Sequence, residues 1–222
     1  MLRGLFVTGT DTGAGKTVAS AALMLHVRQF AQVRYWKPIE TGIEENDDTA
    51  AVRELAACSD DEICNEGIRL KRPLSPHLAA RLSGQPITNE KLEKMASALG
   101  AGANWVIEGA GGVSVPINDS CLMIDWIEQL GLPVLVAARS TLGTINHTLL
   151  TLDALRNRGL QVAGVVMSGE PNRENRYAIE HYGKTAVFGE IPVLSPLTNQ
   201  TLAQWVQEEF DRSNGLREFF AG

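Results

Sequence analysis

The sequence predicts an α/β fold, a mostly parallel sheet with helices on both faces. Three observations lead to it. Short apolar, β-rich runs alternate with helical patterns, a glycine-rich segment joins the first run to the first helix, and another run stops at an acid before a second glycine cluster. Strands alternating with helices imply right-handed β-α-β crossovers and a sheet covered on both sides. Such sheets present their ligands at the carboxyl ends of the strands.

Strands are expected at residues 5–8, 33–36, 105–108, 133–138, 162–168 and 186–191. Helices are expected at 16–29, 48–57, 89–99, 122–130, 144–158 and 173–181. The helix over 144–158 places Ile145, Leu149, Leu152 and Leu155 near one face, and Gly159 supplies its stop. The final stretch, 213–222, is expected to be loosely ordered, with Phe219 and Phe220 as the residues able to dock it.

With 222 residues, 44% hydrophobic and 21% charged, the chain suits one domain spanning 1–222 with a substantial core. No Pro/Ser-rich linker or charge block divides it. A formal net charge of −6 argues against a nucleic-acid partner, which needs clustered Lys and Arg. The N-terminal apolar run is too short for a signal peptide. The longest apolar stretch, near 132–138, is interrupted by Pro133 and cannot span a bilayer. A cytoplasmic protein with no membrane partner is the expectation. Cys58, Cys64 and Cys121 are odd in number and lack paired spacing, which reads as reduced thiols.

The strongest signal is Gly9-Thr10-Asp11-Thr12-Gly13-Ala14-Gly15-Lys16-Thr17, directly after the first strand. Its glycines permit a tight loop whose N–H groups, around Thr12, Gly13, Ala14 and Gly15, point at phosphate oxygens. The following helix adds its positive N-terminal end. Lys16 reaches the β/γ-phosphates, and Thr17 places its hydroxyl on Mg²⁺. Five residues rather than four separate Gly9 from Gly15, a departure from the standard form. A turn that binds nothing would not require strand, helix and Gly-Lys-Thr together. The expected architecture is therefore that of the P-loop nucleoside-triphosphate-binding proteins.

Glu108 ends the strand 105–108 and leads into Gly109-Ala110-Gly111-Gly112, read as glycines that let backbone approach phosphates, with a plain turn as the other reading. At that sheet edge Glu108 is a candidate Mg²⁺ carboxylate. Asp47 and Asp48 follow the mobile-looking stretch 42–46 and precede a helix. Either could cap that helix, and Asp48 is a second candidate metal ligand.

These elements, taken with Lys37-Pro38-Ile39-Glu40-Thr41-Gly42, Ser75-Pro76-His77, Leu142-Gly143-Thr144-Ile145-Asn146-His147 and Gly189-Glu190-Ile191-Pro192, resemble the dethiobiotin synthetase family in order and spacing. The match runs to about Leu194. The resemblance implies that 7,8-diaminononanoate captures CO₂ as a carbamate, that ATP phosphorylates it, and that the second amine closes the ureido ring. It implies Lys37 and Lys16 as catalytic cations, and Thr17, Asp48 and Glu108 as metal ligands. Thr41 is implied as a substrate contact. Glu108, Gly109, Ala110 and Gly111 would border the nucleotide. Gly143, Thr144 and Asn146 would receive the substrate's carboxylate from a partner subunit, so a homodimer is implied.

In the family, adenine is commonly read by an Asn after the strand matching 162–168, where this chain has Ser168-Gly169. A serine hydroxyl cannot supply both bonds of an amide, so loose base selection is expected, with Gly169, Pro192, Val193 and Leu194 as the remaining base contacts. The alternative class is a P-loop ATPase switch of the partition or positioning type. Those proteins carry a signature lysine early in the loop, where this chain has Asp11.

Overall fold

The computed structural model describes residues 2–100 and 102–220. Among the described residues nine strands form in chain order: β1 (Arg3–Gly9), β2 (Val33–Trp36), β3 (Ile39–Thr41), β4 (Ile63–Cys64), β5 (Ile68–Leu70), β6 (Asn104–Gly112), β7 (Val134–Arg139), β8 (Val162–Ser168) and β9 (Val187–Ile191). Seven make one sheet in the order β4-β2-β6-β1-β7-β8-β9, and every pairing in it is parallel. The helices are α1 (Lys16–Val27), α2 (Asp48–Leu55), α3 (Pro76–Ser83), α4 (Asn89–Ser97), α5 (Met123–Leu130), α6 (Thr144–Asn157), α7 (Arg173–Gly183) and α8 (Asn199–Glu209).

The alternating strand pattern builds two cores, one on each face of the sheet. Leu5, Val7, Tyr35 and Val106 point to the face covered by α1, α2 and α8. Phe6, Trp36, Trp105 and Ile107 point to the other, where α5, α6 and α7 contribute Trp126, Leu152 and Ile179. Neighbouring residues of one strand thus serve opposite cores, as period-two geometry requires. From β1 the chain crosses by α1 to β2 on one side, while β6 crosses by α5 to β7 on the other. A crevice opens between such divergent connections, at the strands' carboxyl ends.

The expected strands and helices all form, with boundaries shifted by up to about three residues, except for the segment after Glu108. β6 runs on through Gly112 rather than turning, and its register to β1 shifts between Val7 and Gly9. The physical reason is close packing. A Cβ on Gly109 would lie 2.8 Å from the Phe6 ring, and one on Gly112 would lie 3.1 Å from the Gly9 carbonyl oxygen.

Several elements have no counterpart among the expected ones, beginning with the short edge strand β4 of the main sheet. Lys37-Pro38 takes the chain out of the main sheet, and β3 then pairs with β5 in a separate two-stranded parallel sheet. Helices α3 and α8 also form, α3 with Pro76 at its first turn and α8 capped by Thr198.

The expected looseness of 213–222 is corrected up to Phe220; residues 221–222 lie outside the described residues. A short 3₁₀ turn, Gly215–Phe219, docks beside β1, with Leu216 and Phe220 buried. Its anchor is Asp211, whose buried carboxylate accepts hydrogen bonds from Gly215 N (2.8 Å) and Leu216 N (2.9 Å). The same carboxylate lies 3.2 Å from His26 Nε2 on α1. Asp211→Ala leaves one buried and one partly buried donor without an acceptor, and we expect it to lower stability by about 1–3 kcal/mol. Urea unfolding checks this; an unchanged midpoint would mean that the tail adds nothing to the fold.

Candidate active site

The loop between β1 and α1 is braced from two neighbouring strands. Gly15 has φ +86°, and a Cβ there would lie 2.1 Å from Ser168 Oγ, so only glycine lets the loop close on β8. The Ser168 hydroxyl donates to the Ala14 carbonyl at 3.1 Å. From the end of β7, Arg139 Nη2 donates to Asp11 Oδ2 (3.0 Å) and to the Thr12 carbonyl (2.6 Å). Lys16 Nζ donates to the Asp11 carbonyl at 3.2 Å. Burial holds the Lys16 ammonium below the ordinary lysine value, and the nearby Lys37 charge acts in the same direction.

Behind the loop, polar atoms from four elements converge. Thr17 Oγ1 lies 2.9 Å from Asp48 Oδ1 and 3.1 Å from Glu108 Oε1. Lys37 Nζ sits 2.7 Å from Asp48 Oδ2 and 2.7 Å from Glu108 Oε1, and donates to the Gly109 carbonyl at 3.0 Å. The Tyr35 hydroxyl donates to Glu108 Oε2 at 3.0 Å. Parallel register explains the meeting. Tyr35 pairs with Val106 and Trp36 with Ile107, so Lys37 leaves the sheet beside Glu108.

The protonation states follow from the same contacts. Burial opposes the Lys37 charge, but the carboxylates of Glu108 and Asp48 outweigh it and raise its pKa. Burial also opposes ionisation of Asp48, yet Lys37, the Thr17 hydroxyl and Lys16 lower its pKa. Burial and Glu108 push the Tyr35 phenol well above its usual range, so it stays a donor. The site therefore holds the Lys37 ammonium and the Asp48 carboxylate charged side by side at neutral pH.

The two adjacent acids divide their work. Asp47 caps α2, its Oδ1 accepting from Ala50 N at 2.7 Å, while Asp48 faces the cluster. A hydroxyl and two carboxylates on one spot fit a hard divalent ion that takes its other ligands from phosphate and water. Among the described residues no group of three or more His, Cys, Asp or Glu forms a site made by protein alone.

A cavity of about 590 Å³ opens over this floor. Its lining includes Gly13, Lys16 and Thr17 of the phosphate loop and α1, Lys37 and Asp48, and Thr41, Ser75 and Val115. Ala110 and Gly111 also face it, whereas Ala14, Glu108 and Gly109 are buried. Ser168, Gly169, Pro192, Val193 and Leu194 do not line it. They cluster where β8 and β9 end, with Gly169 N bonded to the Ile191 carbonyl at 2.9 Å. Gly143 and Asn146 are exposed at the start of α6, and neither they nor the buried Thr144 reach this cavity.

Tyr35 and Arg139 were not legible as site residues, and only Tyr35 left a signal. Two residues before Lys37 on a strand, it shares that lysine's face. Arg139 ends a strand with nothing in its spacing to mark a partner at Asp11.

A family described as an AAA domain matches residues 3–201. The ATP-dependent dethiobiotin synthetase BioD of Paramagnetospirillum magneticum is 48% identical over 211 residues, covering 91% of this chain and 94% of that protein. The enzyme of the same name from Brucella ovis is 46% identical over 198 residues, 89% of this chain and 90% of its own. The chain belongs to the dethiobiotin synthetase family. Dethiobiotin synthetases are ATP-dependent ligases of biotin biosynthesis, and so is this member. It is also 47% identical over 207 residues to the biotin biosynthesis bifunctional protein BioCD of Bordetella avium, spanning 43% of that longer protein.

Solved structures share the fold alone. A ParA family ATPase from Chlorobium tepidum superposes with a TM-score of 0.57 at 10% identity, covering 93% of this chain and 98% of that one. The septum site-determining protein MinD from Pyrococcus horikoshii gives 0.57 at 12%, covering 98% and 94%. The relatives near half-identity thus decide for a synthetase over a positioning switch.

Because the Lys16 pKa lies below 10.5, its charge is lost earlier in an alkaline titration than that of an exposed lysine. ATP affinity should fall as pH rises, with an inflection below 10.5. Lys16→Arg should move that inflection upward, since a guanidinium keeps its proton. Calorimetric titration across alkaline pH checks this; the same profile in both proteins would remove Lys16 from phosphate binding.

Proposed function

We propose that this cavity carboxylates 7,8-diaminononanoate with CO₂ and closes the ureido ring at the expense of ATP, giving dethiobiotin, ADP and phosphate. The observation that supports it best is the buried Lys37 ammonium, 2.7 Å from each of two carboxylates, lining the same cavity as the phosphate loop and Thr41. An amine of the substrate adds CO₂ and loses a proton to give a carbamate. The carbamate oxygen takes the γ-phosphoryl group, and the second amine displaces phosphate from the carbonyl carbon.

Two anions must meet in the phosphoryl step, and positioned cations are the main help a protein can give. Lys16 serves the triphosphate. Lys37, with its raised pKa, acts as a fixed positive charge and not as a base. Thr17, Asp48 and Glu108 would hold Mg²⁺, which supplies further charge neutralisation when bound. Thr41 would position the substrate. Gly109, Ala110 and Gly111 would bring backbone to the nucleotide.

The base would rest against Gly169 and the segment Pro192, Val193 and Leu194. The Ser168 hydroxyl is already committed to the Ala14 carbonyl, which favours loose base selection. We further propose that residues 1–222 work as one domain, paired in a homodimer. Gly143 and Asn146 lie away from the cavity of their own subunit, and the adjoining Leu142 is fully exposed, with Leu150 half exposed on the same helix. A partner's cavity would use the start of α6 to receive the substrate carboxylate.

Incubation with ATP, bicarbonate and 7,8-diaminononanoate should yield the cyclic urea by mass detection; absence of product would sink the substrate assignment. Lys37→Gln keeps a donor for Glu108 but removes the charge. It should lower the single-turnover rate by about 10²–10³ at saturating ATP. A thermal midpoint near that of the native protein would show that folding is not the cause, and a near-native rate would take Lys37 out of the mechanism.

Sharing of sites is checked by mixing chains carrying Lys37→Gln with chains carrying Asn146→Glu. Thr144 is buried, so Asn146 is the better position for an added charge. Each parent should be weak alone, and heterodimers should regain one intact site. Verified heterodimers that stay inactive would refute sharing.

A further inference from the structure

Glu40 and Arg69 lie opposite each other in the register of the β3–β5 sheet. Glu40 is 1% exposed. Its Oε1 sits at the start of α2 and accepts a hydrogen bond from Asp48 N, with Thr49 N at 3.4 Å. Its Oε2 accepts from Thr49 Oγ1 at 3.1 Å and faces Arg69 Nε at 3.4 Å. Arg69 Nη1 in turn donates to the Lys37 carbonyl at 2.7 Å, and Nη2 to Thr49 Oγ1 at 3.2 Å.

Helix capping alone does not account for this. Asp47 caps α2 through Ala50 N and Glu40 meets the N–H groups of Asp48 and Thr49, but capping calls for no Arg69. The pair instead bridges the main chain of Lys37 to the main chain of Asp48, the two residues whose side chains meet at 2.7 Å on the cavity floor. Gly67 makes room for the bridge: a Cβ there would lie 2.8 Å from Arg69 Nη1 and 3.0 Å from the Lys37 carbonyl oxygen. Neither Glu40 nor Arg69 lines the cavity, so neither can touch substrate or nucleotide there.

We propose that Glu40 and Arg69 are positioning residues that fix the spacing of Lys37 and Asp48 and thereby set the affinity for metal-bound nucleotide. This rests on the reading of Asp48 as a metal ligand. Buried charges of this kind are costly to keep, and their best-attested return is a defined geometry rather than added stability.

The test measures binding of a non-hydrolysable ATP analogue by calorimetry, with and without Mg²⁺, for the native protein, Glu40→Gln, Arg69→Met and the double variant Glu40→Met/Arg69→Met. Each single change should weaken Mg²⁺-dependent binding by about tenfold or more, the usual effect of losing a group that orients a metal ligand. Metal-free binding should stay within about twofold. The double variant has no uncompensated buried charge, so its thermal midpoint should recover relative to Arg69→Met while its Mg²⁺-dependent affinity does not.

Native Mg²⁺-dependent affinity in the double variant would overturn the proposal, as would equal losses with and without metal in the single variants. If the double variant fails to fold, Glu40→Gln decides: an unaltered Mg²⁺ dependence overturns the proposal. Asp48→Asn runs alongside. No metal-specific loss there would instead refute Asp48 as a ligand, whereas a loss there with native behaviour in Glu40→Gln would refute only the positioning role.

Discussion

The arrangement depends on one buried ammonium. Lys37 is 2% exposed and is held by Glu108, which is 0% exposed, and by the half-covered Asp48. Glu108 alone on the sheet floor would be a desolvated charge, and Asp48 would be pushed away from it by like-charge repulsion. With the lysine between them, both carboxylates share one site and aim oxygens at the Thr17 hydroxyl. Removing one partner of such a buried set costs about 3–5 kcal/mol in other proteins. The lysine proposed to neutralise anions during turnover is thus also a condition for the folded site.

The sheet makes this possible through register and small residues. Lys37 continues β2 past Trp36 and arrives beside Glu108 because β2 and β6 run parallel and in step. The glycines after Glu108 then serve two purposes. On one side Gly109 accepts the edge of Phe6, tying the site to the core; on the other Gly112 lets β6 pass the Gly9 carbonyl. The composition of a turn is similar. Only the packing partners distinguish a strand that must be thin from a chain that must bend.

Sharing a sheet with ParA and MinD proteins at 10–12% identity shows how little of the fold is specific to the chemistry. Where those switches are expected to carry a lysine in the loop, Asp11 stands here, paired with Arg139 from β7. The loop is therefore cross-braced within its own subunit. The other residues proposed for the synthetase chemistry, Lys37, Thr41, Glu108 and Asp48, lie outside the loop, at β2, β3, β6 and the start of α2.

The sequence by itself determined the strand-helix alternation, the phosphate loop and the acid at the end of β6. These signals are local: a period of two or about 3.6, a glycine where φ must be positive, a lysine and a threonine at fixed spacing. It also placed Lys37 just outside a strand, because Pro38 has no N–H to donate to a ladder. It could not choose between Asp47 and Asp48, since both are good caps and the choice depends on which carboxylate meets Lys37 and Thr17. Nor could it find the short β3–β5 pair, or Tyr35, Arg69 and Arg139 as partners of the site. Their roles rest on contacts between residues 20 to 128 positions apart, and on burial that changes the charge balance of each group. Such contacts leave no periodicity in the chain, so only the folded sheet decided them.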